Sequence, residues 1–124
     1  MKKNFFIIFV LSLLLVSCAQ EYNQVYKSSD YTYKYEYAKE CYAKGKYSFA
    51  VPLLQDLVTI QKGTDNAQEC LYMLAMAEYG LHDYEAASEA FKKYYQTYPN
   101  GYYAEMASFY IGQSLYEGTP EARL

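Results

Sequence analysis

The sequence predicts an all-α fold, an array of helical hairpins, and three observations indicate it. Apolar residues recur at helical spacing through 67–99, on both sides of a break at 80–83. The pattern repeats 37 residues away in both directions, so that Tyr79 matches Tyr42 and Tyr116. A hydrophobic content of 52% with 20% charged residues is typical of a folded chain. A fixed period of this length indicates a solenoid, in which each hairpin buries its apolar face on the next.

Composition and the absence of catalytic motifs argue against several classes of function. The net charge is −3, and the sequence has no basic patch of the kind that binds nucleic acid. It has no Gly-rich phosphate loop and no Gly-x-Ser-x-Gly or His-Glu-x-x-His motif, and His82 is its single histidine. We therefore expect no enzyme, cofactor, metal site or nucleic-acid partner.

The N-terminus has the features of a secreted lipoprotein. Basic residues open the chain, and the apolar stretch Phe5–Val16 is too short to span a bilayer alone, which predicts a secretory leader. The next residues, Leu15-Val16-Ser17-Cys18, resemble the lipobox of bacterial lipoproteins. The resemblance implies that the leader, 1–17, is removed and that Cys18 carries acyl chains such as palmitate. Ala19, rather than Asp, after the cysteine implies the outer membrane, on its periplasmic face.

The rest of the chain divides into a tether and an array. Residues 18–29 are polar with scattered tyrosines, and we expect them to form a flexible tether. The array, 30–124, contains repeats at 30–63 and 64–100 and an incomplete one at 101–124. The segment Gly118–Glu121 predicts the start of another helix. We expect the sequence to be the N-terminal part of a longer protein or a truncated copy; the alternative is a frayed tail on a short protein.

Local signals predict the helix boundaries. The alternation of tyrosines from Tyr31 to Tyr37 is typical of a strand, but the register of the repeats favours a helix over Tyr31–Lys44. Ser29 or Asp30 is the expected N-cap of the first helix, Asp83 is an expected N-cap, and Asp65–Gln68 fits a capping box.

Two cysteines remain after Cys18. Cys41 and Cys70 are interpreted as small apolar core residues, with a disulfide left open because secretion permits one.

Repeat two carries a recognisable motif. Its residues are Leu74, Ala75, Tyr79, Asp83, Tyr84, Ala87, Phe91 and Pro99, and Ile111, Gly112 and Tyr116 begin it again. Over 31–116 this spacing resembles the tetratricopeptide repeat, which implies that small residues at 75 and 87 let paired helices approach closely. Two departures stand out: the repeats are about three residues longer than the usual 34, and Glu78 occupies a position where the motif prefers an apolar residue.

The lipobox together with the joint Tyr98–Glu105 is similar to the BamD family in its Bacteroidetes form. These are lipoprotein subunits of the outer-membrane β-barrel assembly machinery. The resemblance implies unfolded β-barrel proteins and other assembly subunits as partners, and the membrane through the lipid anchor. The family has five repeats, so this chain covers about two and a half. The alternatives are another envelope lipoprotein, resembling YbgF of the Tol-Pal or division systems, and a fragment of a SusD-type glycan-binding lipoprotein.

The resemblance also implies a binding site. In tetratricopeptide arrays the first helix of each repeat lines a concave groove, and an aromatic groove suits a peptide with apolar anchors. Tyr42, Tyr79 and Tyr116 are equally well interpreted as packing residues. The predicted groove residues are Tyr35, Lys39, Tyr42, Tyr72, Met76, Tyr79, Phe109, Gln113 and Tyr116.

Overall fold

The computed structural model describes the backbone of residues 2–123 and, outside 15–17 and 123, their side chains. All regular structure in these residues is helical, which confirms the all-α prediction. The helices are α1 (Lys2–Lys27), α2 (Tyr31–Ala43), α3 (Tyr47–Ile60), α4 (Asp65–Gly80), α5 (Tyr84–Thr97) and α6 (Ala104–Glu117). A short 3₁₀ helix, Glu121–Arg123, stands where the sequence predicts a further helix.

Most of the predicted boundaries are confirmed. The tyrosine-rich stretch is helix α2, and the Asp30 carboxylate caps it by accepting a hydrogen bond from the Tyr33 N–H at 3.1 Å. Asp83 caps α5 in the same way. Gly45 and Gly63 end the preceding helices with φ of +72° and +90°, a conformation that glycine adopts without steric cost.

The capping box expected at Asp65–Gln68 is wrong. The N-cap of α4 is Thr64, and its side chain makes no capping bond. The Gln68 side chain instead closes the joint between α5 and α6. Its Oε1 accepts from the Tyr94 hydroxyl at 2.6 Å and from the Tyr102 N–H at 3.0 Å, and the Tyr94 oxygen accepts from the Tyr103 N–H at 3.0 Å. We call this set of bonds the joint lock.

From α2 onward, each helix packs chiefly on its neighbours in the chain. Short turns make successive helices antiparallel, so the turns alternate between two edges of the array. The turns 44–46, 81–83 and 118–120 share one edge, since the Tyr47 ring lies against Gly80, and a Cβ built at Gly118 would lie 3.5 Å from that of Tyr84. We call this the hairpin edge; the turns 61–64 and 98–103 lie at the opposite edge.

The core has two parts. The first, between α2, α3 and α4, contains Leu53, Leu54 and Leu57, all fully buried. Cys41 and Cys70 belong to it as free thiols, which confirms their interpretation as small core residues, and burial raises the pKa of Cys70 to about 12. The second core lies between α4, α5 and α6. It contains Ala75 and Ala87 without solvent exposure, along with Phe91 and Tyr94.

The segment expected to form a tether is helical and packs on the array. Residues 19–27 continue α1 as regular helix. Val25 has 0% exposure within the first core, and the Tyr22 ring centroid lies 4.9 Å from that of Phe49 on α3. Residues 22 and 25 are three apart, so they share one helix face that packs on the array.

The N-terminal part of α1 is largely apolar and exposed to solvent. On length and composition, α1 is the one helix among residues 2–123 that could cross a membrane, and a leader peptide meets the same criterion.

Candidate peptide-binding site

The predicted groove residues lie on α2, α4 and α6, but the structure gives them three different environments. Tyr35 is buried, Tyr72 and Tyr79 are partly buried, and Phe109 and Tyr116 are exposed. Tyr35 and Tyr72 are therefore less exposed than Phe109, although all three fall at the same position of the repeat.

Tyr35 is not available to a ligand. Its side chain is 6% exposed, and its hydroxyl donates a hydrogen bond to the Glu69 carboxylate on α4. Lys39 Nζ lies 5.0 Å from the centre of its ring and 3.9 Å from Glu69 Oε1. Burial, followed by the bond to Glu69, raises the Tyr35 pKa. The prediction that Tyr35 faces a groove is therefore wrong, because its ring joins α2 to α4; Lys39 stays half-exposed beside it.

Tyr72 packs between helices. Its ring stacks on that of Tyr103 with centroids 4.1 Å apart and planes 5° apart. It also meets Phe91 and Tyr94 edge-on at 6.2 and 6.0 Å. One face of the Tyr72 ring is therefore covered by Tyr103, in the joint between α5 and α6.

Tyr79 links α4 to both of its neighbours. Its ring lies edge-on to Tyr84 of α5 at 5.3 Å and to Tyr110 of α6 at 5.1 Å. Burial raises the pKa of its hydroxyl. Gln113 donates to Glu117 Oε1 at 3.0 Å, so both predicted groove residues are already engaged within the protein.

Tyr42 of α2 contacts a different ring, that of Tyr47, with centroids 5.9 Å apart. Burial raises the pKa of Tyr42 to about 12. Four tyrosine rings connect to one another through Phe91, and we call them the tyrosine layer: Tyr72, Tyr79, Tyr103 and Tyr110.

The sequence pattern missed two members of the tyrosine layer. Tyr103 precedes the motif in its repeat, and Tyr110 lies one position after the expected ring at Phe109. The signal for Tyr110 is its i, i+3 spacing from the buried Ala107, which puts both on the inward face of α6.

Beside the tyrosine layer, α6 carries an exposed apolar surface. Phe109 is 60% and Tyr116 63% exposed, and Met106 and Leu115 are about half exposed. Phe109 meets the Tyr110 ring edge-on at 5.2 Å, so this surface is continuous with the layer. Met106, Phe109 and Tyr116 lie toward one side of the helix, and we call these three residues the α6 surface. Leu115 lies on another side, where it lines a cavity with Tyr84 and Ser88 of α5. The α6 surface has the chemistry of a protein-binding surface: aromatic and thioether groups in contact with water beside a rigid support.

Glu78 is a buried acid outside this site. Its side chain is 7% exposed, and Oε2 has no hydrogen-bond partner among the described residues. Burial, and secondarily the like charge of Asp83, raises its pKa from 4.5 to about 7. The departure of this position from the repeat motif is thus a buried carboxyl group rather than a solvated one.

Cys18, the predicted lipidation residue, is exposed on α1. The side chains of its predicted recognition residues Leu15, Val16 and Ser17 lie outside the described set.

A comparison of the chain with family models, with curated proteins and with solved structures finds no match.

Proposed function

We propose that this protein is a lipid-anchored scaffold of the outer-membrane β-barrel assembly machinery. Its array of tetratricopeptide-like hairpins binds apolar segments of unfolded barrel proteins or of partner subunits. The observation that carries this proposal is the α6 surface, an exposed aromatic face supported from behind by the tyrosine layer.

The packing of the helices supports the repeat assignment. Each helix from α2 onward packs on the helices before and after it, as in a solenoid. Ala75 and Ala87, the small residues of the motif, have no exposure and lie in one core between α4 and α5. Large residues such as Phe91 fill the space to α6.

The anchor is supported by α1. Its residues from Phe5 to Leu14 are exposed and apolar, and Cys18 follows them on the same helix. Acyl chains at a cysteine contribute about 0.8 kcal/mol for each methylene buried in the bilayer, so more than one chain holds a protein stably.

The α6 surface determines which ligand fits. Phe109, Tyr116 and Met106 offer apolar contacts, and α6 itself carries the acids Glu105 and Glu117 and no basic residue. A segment with an aromatic anchor satisfies the apolar contacts, which is the chemistry of barrel strands that end in an aromatic residue. Aromatic anchors in protein interfaces commonly contribute about 2 kcal/mol or more each.

The test is titration of the lipidated chain in detergent with a fluorescent peptide that ends in an aromatic residue. Phe109→Ala and Tyr116→Ala should each weaken binding about tenfold or more, as expected for the loss of an anchor. Tyr95→Ala removes a similarly exposed ring on α5, outside the α6 surface, and should leave affinity unchanged. Equal affinities for all three variants would contradict the proposal.

A further inference from the structure

The segment 18–27 of α1, which we call the connecting helix, is fixed to the array. Val25 is fully buried in the first core, and Tyr22 packs on Phe49. Tyr26 adds a third contact, because Lys34 Nζ lies 5.7 Å from the centre of its ring. A free chain of this length could reach roughly 35 Å, whereas the helical segment holds one fixed length and direction.

This packing puts Cys18 at the hairpin edge. The cysteine lines a cavity of about 250 Å³ together with Tyr37 and Cys41 of α2 and Phe49 of α3. Lys44 and Lys46, which flank Gly45 in the turn between α2 and α3, line the same cavity. The anchored residue therefore lies beside that turn.

From this position we propose that the hairpin edge of the first repeat faces the lipid headgroups, so that the array lies directly against the membrane. The inference rests on the proposed acylation of Cys18, because the acyl chains leave the protein at that residue. The opposite edge, with the turn 61–64, faces away from the bilayer.

The charges at this edge determine which membranes it fits. Glu21, Glu40, Lys44 and Lys46 line the cavity and sum to zero, and Lys44 is paired with Glu40. Anionic lipids attract clusters of several unpaired basic residues, which this edge does not have. The covalent anchor and the fixed helix thus set the orientation, and it is the same on neutral and on anionic membranes.

Two exposed lysines report the orientation. Lys46 lies at the hairpin edge, and Lys62 lies in the turn at the opposite edge. The lipidated protein, produced from the full chain, is reconstituted in phosphatidylcholine vesicles and treated with a water-soluble lysine-acylating reagent. The rate at Lys46 divided by the rate at Lys62 measures how far the membrane shields the hairpin edge.

A second protein carries about eight Gly and Ser residues between Ala19 and Gln20, which restores a flexible tether and leaves Tyr22 and Val25 in place. We expect a lower Lys46 to Lys62 ratio in the native protein than in the insertion protein. The same low ratio is expected in vesicles containing phosphatidylglycerol. Gln24→Ala, on the exposed side of the connecting helix, is the matched control and should keep the native ratio.

The outcomes separate the two proposals. Equal ratios in the native and insertion proteins, with acyl chains on Cys18 verified by mass spectrometry, would overturn the orientation and leave the anchor standing. A mass without acyl chains on Cys18 would overturn the anchor and, with it, this orientation. A low ratio that appears only with phosphatidylglycerol would also contradict the proposal, since it would mean that charge sets the orientation.

Discussion

The described helices of the array are covered differently at its two sides. On the N-terminal side, the connecting helix covers α2 and α3, and Val25 lies in the core. On the other side, α6 is covered on its inner face by α4 and α5, while Phe109 and Leu115 stay in contact with water. We call the first the covered end, where we propose the lipid anchor, and the second the open end, where we propose the contact with another protein. The difference shows that the exposure of a helix depends on which of the other described helices pack over it.

The largest effect is expected at the covered end. Val25→Asp would bury a carboxylate among the apolar side chains of the first core, and we expect it to lower the free energy of unfolding by about 3 kcal/mol or more. The measurement is urea denaturation of the lipidated chain in detergent, followed by circular dichroism. Gln24→Asp adds the same charge one residue away on the exposed side and should change stability by less than about 0.5 kcal/mol. If the two variants were equally stable, the connecting helix would not be docked.

A second effect concerns Glu78, which lies between the two ends. Its pKa is about 7 in the folded protein, raised from 4.5, so the folded state holds a proton that the unfolded state releases. Stability should therefore fall as pH rises from about 4.5 to about 7, by an amount on the order of 2 to 3 kcal/mol.

Glu78→Gln removes this titration and should stabilise the protein at pH 8 while having little effect near pH 4.5. Denaturation midpoints across this pH range measure the effect, with the exposed Glu89→Gln as the control. Parallel pH profiles for native protein and Glu78→Gln would show that the carboxyl is solvated.

A smaller effect is expected at the joint lock, which holds α6 in place. Tyr94→Phe keeps the buried ring and removes the hydroxyl that bonds to Gln68 and to the Tyr103 N–H. Because Gln68 and the Tyr103 N–H each lose a hydrogen bond within a partly buried site, we expect the free energy of unfolding to fall by about 1 to 2 kcal/mol. Amide hydrogen exchange should quicken in α6 more than in α2; uniform acceleration in both helices would contradict a local role.

The smallest stability effect is expected at the open end. Leu115→Asp places a charge on a half-exposed position of α6 and should change the unfolding free energy by less than about 0.5 kcal/mol. It should also reduce self-association measured by sedimentation, because it removes an exposed apolar side chain. If Leu115→Asp lowered the free energy of unfolding as much as Val25→Asp, the two ends would be covered alike.

The fold was largely predictable because the helical period, the glycine stops and the Asp caps are all local signals. The packing of residues 19–27 on the array was missed because Tyr22 and Val25 are isolated apolar residues in a polar segment. Only the contacts with Phe49 and the first core reveal their role. Gln68 matched a capping box in sequence, but its partners lie 26 and 34 residues away.

The sequence predicted which helices carry the candidate residues, but not which of their side chains are exposed. Register placed Tyr35, Tyr72 and Phe109 on equivalent helices, but exposure depends on what packs over each helix. Glu69 and Lys39 engage Tyr35, and Tyr103 covers Tyr72. Phe109 is free because the packing of the described residues leaves that side of α6 open. Such differences between equivalent positions come from tertiary contacts that a repeat pattern does not encode.

The most direct test of binding at the open end is site-specific photo-crosslinking. A benzophenone-bearing residue replaces Phe109 in one protein and Tyr95 in another, and each is irradiated in the lipidated form with an unfolded barrel protein. We predict a crosslinked product from position 109 and little or none from position 95. Equal crosslinking at both positions, or crosslinking at 95 alone, would contradict a binding surface on α6.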